Sequence, residues 1–168
     1  EGIYRVDFSN TNDALHEEYG RIIKEAFPNI SIRLLYNQNN VKIARIDSVF
    51  LHAICKNLGL KPSKMQKLFR LSKEKIASFL QGYFDGDGTC RTNYKRILFT
   101  CGGKDGLYAS KQIQRLLKRL NIRSIIASRI SRSALGQQQC WDIIIRGKKD
   151  ALRFIEIIGS RHPAKAKT

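Results

Sequence analysis

Between residues 14 and 27 the apolar side chains Leu15, Tyr19, Ile22, Ile23 and Ala26 fall on one stripe at helical spacing, which predicts a helix with one buried face. Before it, Ile3 to Phe8 alternate loosely and are rich in β-formers, and Asn10-Thr11-Asn12-Asp13 supplies turn and N-cap chemistry. Pro28-Asn29 stops the helix. Ile30–Tyr36 and Val41–Ile46 then read as two strands joined by the polar tip Asn37-Gln38-Asn39-Asn40. Asp47-Ser48 caps a second helix over Val49–Leu58, which ends at Gly59.

A basic linker follows, and similar elements return after it. They are a helix from about Lys73 to Phe84, a strand region over Thr89–Thr100, a helix over Lys104–Leu120, strands over Ile122–Ile130 and Cys140–Arg146, and a closing helix over Lys148–Ile158. Val6-Asp7-Phe8-Ser9 matches Ile97-Leu98-Phe99-Thr100, and Leu15 matches Leu107 one position further on. Agreement in residues and in element order marks a repeat. The expected division is a first unit over 1–60, a linker over 61–72 and a second unit over 73–168. The second unit opens with a helix, whereas the first opens directly on a strand.

Charge adds a partner to this α+β picture. Thirty-one Lys and Arg against 14 Asp and Glu give a net +17, with most of the excess after Ser78. Such a field attracts a polyanion and releases counterions from a nucleic-acid backbone. No apolar run reaches the roughly 20 residues that span a bilayer, and no signal-peptide pattern opens the chain. A soluble, intracellular protein is expected. Cys55, Cys90, Cys101 and Cys140 are isolated from one another, as are His16, His52 and His162, so reduced thiols are expected and a structural zinc is not.

The helix from Lys73 carries two stripes. Ile76, Phe79, Leu80, Tyr83 and Phe84 form an ordinary core-facing one. Ser78, Gly82 and Gly86 recur every four residues, and glycine inside a helix costs about 1 kcal/mol relative to alanine, so close approach of another backbone is the expected compensation. At the negative end of the same helix stand Asp85 and Asp87, where carboxylates are disfavoured and a bound cation would help. Asp85-Gly86-Asp87-Gly88 also suits a plain turn.

Taken as a whole, Phe79-Leu80-Gln81-Gly82-Tyr83-Phe84-Asp85-Gly86-Asp87-Gly88 followed by a strand resembles the motif of the LAGLIDADG homing endonucleases. Gln81 and Gly86 stand where that motif has alanine. The resemblance covers nearly the whole chain. It implies an α+β fold of two pseudo-symmetric αββαββα-type repeats, read here in the order helix-strand-helix-strand-strand-helix, with the first repeat lacking its N-terminal helix. It also implies that Glu1, 86 positions before Asp87, is the acid of a first motif.

The function implied is a site-specific endonuclease, intron- or intein-encoded, acting as a monomeric pseudo-dimer on double-stranded DNA. It would make a metal-dependent double-strand break with short 3′ overhangs at a long asymmetric target. Glu1 and Asp87 would bind Mg2+ or another divalent cation. Arg146 or Lys148, between the last strand and helix, is where the family places a catalytic basic residue, although Gly147-Lys148-Lys149 also suits a solvated turn. Ser160-Arg161-His162-Pro163 resembles the end of many domains of this family.

Alternation along the strand puts Thr89, Arg91, Asn93 and Lys95 on one face, able to reach base edges or phosphates. Arg123, Arg129 and Arg132 in the second unit, and Arg33 and Arg45 in the first, are further candidates for DNA contact. Two alternatives share the fold and the charge: a DNA-binding regulator that does not cut, and an RNA-binding intron maturase.

Overall fold

The computed structural model describes residues 4–58, 62–91, 96–133 and 136–166. The chain divides into two compact units, Glu1–Leu58 and Gly59–Thr168.

In the first unit the elements are β1 (Arg5–Asn10), α1 (Asp13–Ala26), β2 (Arg33–Tyr36), β3 (Lys42–Asp47) and α2 (Val49–Leu58). The strands form an antiparallel sheet in the order β1-β3-β2. Asn12 caps α1 by accepting from the Leu15 N–H, and Ser48 caps α2 by accepting from the Leu51 N–H at 3.1 Å. Pairing of Val6 with Ile46 and Phe8 with Ala44 turns these four residues to the helices. The core centres on Ile23, Ile46 and Leu51. The α1 stripe differs from the expected one. His16 is buried in it, accepting or donating at Asn10 O (2.9 Å) and lying edge-on to Phe8, whereas Ile22 is exposed.

In the second unit the elements are α3 (Lys73–Asp87), β4 (Thr89–Arg91), β5 (Arg96–Gly102), α4 (Gly106–Arg119), β6 (Ile125–Ser133), β7 (Gly136–Ile145), α5 (Lys148–Ile157) and the single-turn α6 (Pro163–Ala166). The sheet is antiparallel in the order β4-β5-β7-β6. Ile97, Phe99, Cys101, Ile143 and Ile145 project from one face of it into the main core. There they meet Ile76, Leu80 and Phe84 of α3, Ile113, Leu116 and Leu117 of α4, and Phe154 of α5. The rings of Phe84, Phe99 and Phe154 pack edge to face, with centroids 4.9–5.9 Å apart.

Three expectations change. The strand region Thr89–Thr100 is two strands, β4 and β5, paired antiparallel with Thr89 opposite Leu98 and Arg91 opposite Arg96. That gives the second unit the full αββαββα order. The stretch read as a linker is a 3-10 helix over Pro62–Arg70, and its Met65 and Leu68 are buried in the second unit's core. Its interspersed lysines mask that apolar pair in the sequence, while Gln66 donates to Tyr108 Oη at 3.0 Å and Phe69 O accepts from Arg119. Helix α3 continues one turn beyond Phe84, to Asp87.

Candidate active site and nucleic-acid interface

Ser72 caps the start of α3, accepting from the Lys75 N–H, and Gly88 closes its end by donating to Phe84 O at 2.8 Å. A Cβ on Gly88 would sit 2.1 Å from Phe84 Cδ2 and 2.5 Å from Phe84 O, so only glycine lets the chain leave the helix here. The two motif carboxylates are then separated by the helical rotation. Asp85 turns inward and is 7% exposed, while Asp87, the last helical residue, is exposed.

Asp85 is fully engaged by the C-terminal segment. Its carboxylate accepts from Ser160 Oγ at 2.5 Å, from the Arg161 N–H at 3.2 Å and from the His162 N–H at 3.4 Å. From the same segment the Lys165 ammonium donates to Phe84 O at 2.8 Å and to Asp85 O at 2.7 Å, and reaches Gly86 O at 3.5 Å. A cation on the carbonyls of the last turn offsets the negative helix end. Burial pulls the Lys165 pKa below its ordinary value, against the attraction of Asp85 and Asp87. Sequence reading left Lys165 out because nothing in its neighbourhood ties it to a helix end 80 residues earlier. The signal available was the absence of any basic residue in the last turn of α3.

Gln81 donates to Ile158 O at 2.7 Å, tying the middle of α3 to the end of α5. Ser78, Gly82 and Gly86 are exposed, and among the described residues nothing lies within 4 Å of a Cβ built on either glycine. The close approach expected along that stripe is thus absent from the described residues.

Glu1 lies outside the described residues, but register bears on its assignment. Val6 and Phe8 pair with Ile46 and Ala44 as Ile97 and Phe99 pair with Ile145 and Ile143, so β1 corresponds to β5 rather than to β4. Asp87 precedes the β5 strand by the whole of β4 and a turn, whereas only Gly2, Ile3 and Tyr4 separate Glu1 from β1. Three residues cannot hold a strand and a turn, so Glu1 is not the positional counterpart of Asp87. The motif-like Glu-Gly pair concealed this because it precedes a strand in both units.

Arg146 and Lys148 flank Gly147 at the junction of β7 and α5, and both are exposed. Gly147 has φ +87°, a left-handed conformation natural to glycine, and it starts α5 without a side-chain cap.

The face of the second sheet turned away from the helices carries Thr89, Arg96, Leu98, Thr100, Asp142 and Arg129. Arg91 shares that face by register; its side chain, and Asn93 and Lys95 altogether, lie outside the described residues. Arg129 and Arg132 do not act from one face. Arg129 pairs with Cys140 on the outer face, and Arg132 pairs with Gln137 on the opposite one. Arg123 precedes β6, its N–H bonded to Asp150 Oδ1 at 2.9 Å and its side chain exposed.

In the first unit, the outer face holds a lattice of opposite charges. Arg45 grips Asp7 with two hydrogen bonds of 2.9 Å, Arg5 approaches the same carboxylate at 3.7 Å, and Arg33 pairs with Asp47. Among the described residues no cluster of three His, Cys, Asp or Glu could hold a metal by itself, and all four cysteines are free thiols. No helix among them is long and apolar enough to cross a membrane.

Comparisons with known proteins agree with this geometry. Solved structures of the homing endonuclease I-DmoI share the fold. One described as mesophilic variants superposes with a TM-score of 0.67 at 16% identity, over 92% of this chain and 79% of that one. A complex of I-DmoI with DNA and Ca gives 0.66 at 16% identity, over 97% and 81%. The N-terminal LAGLIDADG domain of DUF199/WhiA gives 0.57 at 16% identity, over 94% and 72%. In sequence, the B-type subunit of the A-type ATP synthase of Methanopyrus kandleri is 29% identical over 161 residues. That match takes in 96% of this chain but only 14% of the relative's length. Residues 74–159, just over half of the chain, match the family model described as LAGLIDADG-like domain, and the chain belongs to that family.

Proposed function

We propose that this protein is a site-specific homing endonuclease domain that makes a metal-dependent double-strand break in a long, asymmetric DNA target. The observation that carries the reading is the division of labour between the motif acids. Asp85 is consumed by Ser160, Arg161 and His162, while Asp87 is left exposed at the end of α3, directly before the strand bearing Thr89 and Arg91.

A divalent cation suits Asp87 because Mg2+ is commonly held by one or two carboxylates together with substrate phosphates and water. When bound, such a cation would supply an activated water and neutralise charge on the leaving oxygen. Asp87 would hold it, Lys165 would fix the last turn that presents the carboxylate, and Arg146 or Lys148 would place a positive charge near the phosphate. Thr89, Arg91, Asn93, Lys95, Arg123, Arg129 and Arg132, with Arg33 and Arg45 of the first unit, would contact DNA. The net charge of +17 supports strong, salt-sensitive attraction to its backbone. The complexes of I-DmoI with DNA and Ca or Mn support a DNA partner and a divalent cation by likeness of fold.

The match across nearly all of this chain but a small part of an ATP synthase protein suits a domain carried inside a host protein, and favours an intein over an intron origin. Mass spectrometry of the product of the complete gene would then find a host protein from which this segment has been removed. An intact host containing it would reject the intein.

A second reading, binding without cleavage by a DNA regulator or an RNA maturase, is favoured by one observation: register gives Asp87 no counterpart at Glu1. Incubation of the protein with a plasmid library of random inserts, in Mg2+ and in EDTA, separates the readings. Metal-dependent cuts at one long site, lost in Asp87→Asn, are expected. Tight binding of duplex DNA with no cut in any metal would reject the nuclease and leave the regulator, and preference for structured RNA would leave the maturase.

A further inference from the structure

On the outer face of the second sheet, Asp142 is a carboxylate embedded between strands, with its side chain 13% exposed. Its Oδ1 accepts from Thr100 Oγ1 at 2.9 Å across the β5–β7 pair, and its Oδ2 accepts from Arg129 Nε at 2.8 Å across the β6–β7 pair. The Arg129 side chain, by contrast, is 46% exposed. A buried carboxylate with both oxygens occupied is an anchor, and the arginine it holds has its head in solvent.

The atoms used decide what that head can do. Arg129 spends Nε on Asp142, which leaves the hydrogens of its two terminal nitrogens as an outward-facing fork. Such a fork matches the paired acceptors O6 and N7 that guanine alone presents in the major groove. Held by Asp142, the guanidinium loses less rotamer freedom on contact, so the wrong base is penalised more heavily. The pairs of the first unit differ. Arg33 leans on Asp47, itself about half exposed, and Arg45 is mostly covered and shares Asp7 with Arg5.

We propose that Arg129, positioned by Asp142 and Thr100, reads a single guanine in the target, while Arg123 and Arg132 contact phosphates without selecting sequence. This rests on the DNA-binding reading above and specifies which residue supplies specificity at one base pair.

The test is selection of duplexes from a random-sequence library by the full chain in Ca2+, a cation chosen so that binding is read without strand cleavage, followed by sequencing. Wild-type protein is expected to enrich one position for guanine that Arg129→Ala leaves random, at a loss of at least about tenfold for the guanine-bearing site and with the other positions unchanged. Arg129→Lys keeps the charge and loses the fork, so it too should relax that position. Asp142→Asn and Thr100→Val should weaken the same preference while Arg129 remains. Urea midpoints for these two variants show whether they fold. If both fail to fold, the two Arg129 variants decide alone.

A uniform loss of affinity for all sequences in Arg129→Ala would make Arg129 a phosphate contact and overturn the proposal while leaving DNA binding intact. A guanine preference that survives Arg129→Ala overturns it equally. Failure of the wild-type chain to bind any duplex would overturn the DNA-binding reading itself, and this assignment with it.

Discussion

The carboxylate of Asp85 accepts a hydrogen bond from the hydroxyl of Ser160 at 2.5 Å, joining the motif helix to a segment 75 residues further along the chain. The backbone N–H groups of Arg161 and His162 complete the cradle, so the residue two positions before the proposed metal ligand is a structural anion. The carboxylate is buried and multiply bonded, and hydrogen bonds to charged groups are worth about 1.5–3 kcal/mol. Asp85→Asn should therefore destabilise the second unit by roughly 2 kcal/mol. Urea denaturation followed by circular dichroism measures this, and a change within a few tenths of a kcal/mol would mean that the cradle is not formed in solution.

Lys165 grips the other side of the same helix end, with its ammonium on three successive carbonyls. Lys165→Met keeps most of the aliphatic stem and removes the charge. A loss of about 1 kcal/mol is expected, the scale of a favourable charge at a helix C-terminus. Lys165→Arg should recover part of it. Hydrogen exchange at the last amides of α3 should quicken in the methionine variant, and unchanged exchange would place Lys165 away from the helix end.

Gly88 is irreplaceable for a steric rather than a conformational reason. Its backbone has φ −76° and ψ 156°, which alanine adopts freely, but an added Cβ meets both the ring and the carbonyl of Phe84. Gly88→Ala should cost about 2–3 kcal/mol, as overpacking of a filled core does. Phe84→Leu in the same chain should return little of it, because the carbonyl oxygen remains. Equilibrium unfolding of the single and double variants tests both statements.

Acid should loosen the first unit through Asp7. The hydrogen bond from Arg45 holds its pKa below the ordinary 3.8, against the opposing effect of burial, with Coulombic help from Arg45 and Arg5. A carboxyl depressed in the folded state favours folding while it is ionised. The contribution is therefore present above pH 3.8 and lost as the pH falls through the lower folded-state value. Amide exchange in β1 and β3 should accelerate over that range in the wild-type chain and show a flatter dependence in Asp7→Asn. Identical acid profiles would rule out this role for the pair.

Cys101 is buried, and desolvation raises the pKa of its thiol above the usual range even though the Tyr83 hydroxyl, 3.2 Å away, opposes the shift. Alkylation by iodoacetamide at about pH 8 should label it last among the four cysteines, and labelling as fast as that of the half-buried Cys55 or Cys90 would contradict the packing.

By itself the sequence determined the α+β class, the repeat, most of the helices and strands, and the acidic motif. These follow from periodicity and from short-range chemistry: the stripe Ile76, Leu80, Phe84 does pack into the core, and Ser48 does cap α2. Tertiary structure decided what depends on partners distant in sequence. It buried Met65 and Leu68 of a segment that looked like a linker, and it separated β4 from β5 by pairing Thr89 with Leu98. It placed Arg129 and Arg132 on opposite faces by fixing where β6 begins, and it removed Glu1 from equivalence with Asp87 through the register of β1 on β3. It also gave the two motif aspartates different work. Local sequence places both at one helix end, but only the returning chain, through Ser160 and Lys165, selects which carboxylate is held inside and which remains exposed.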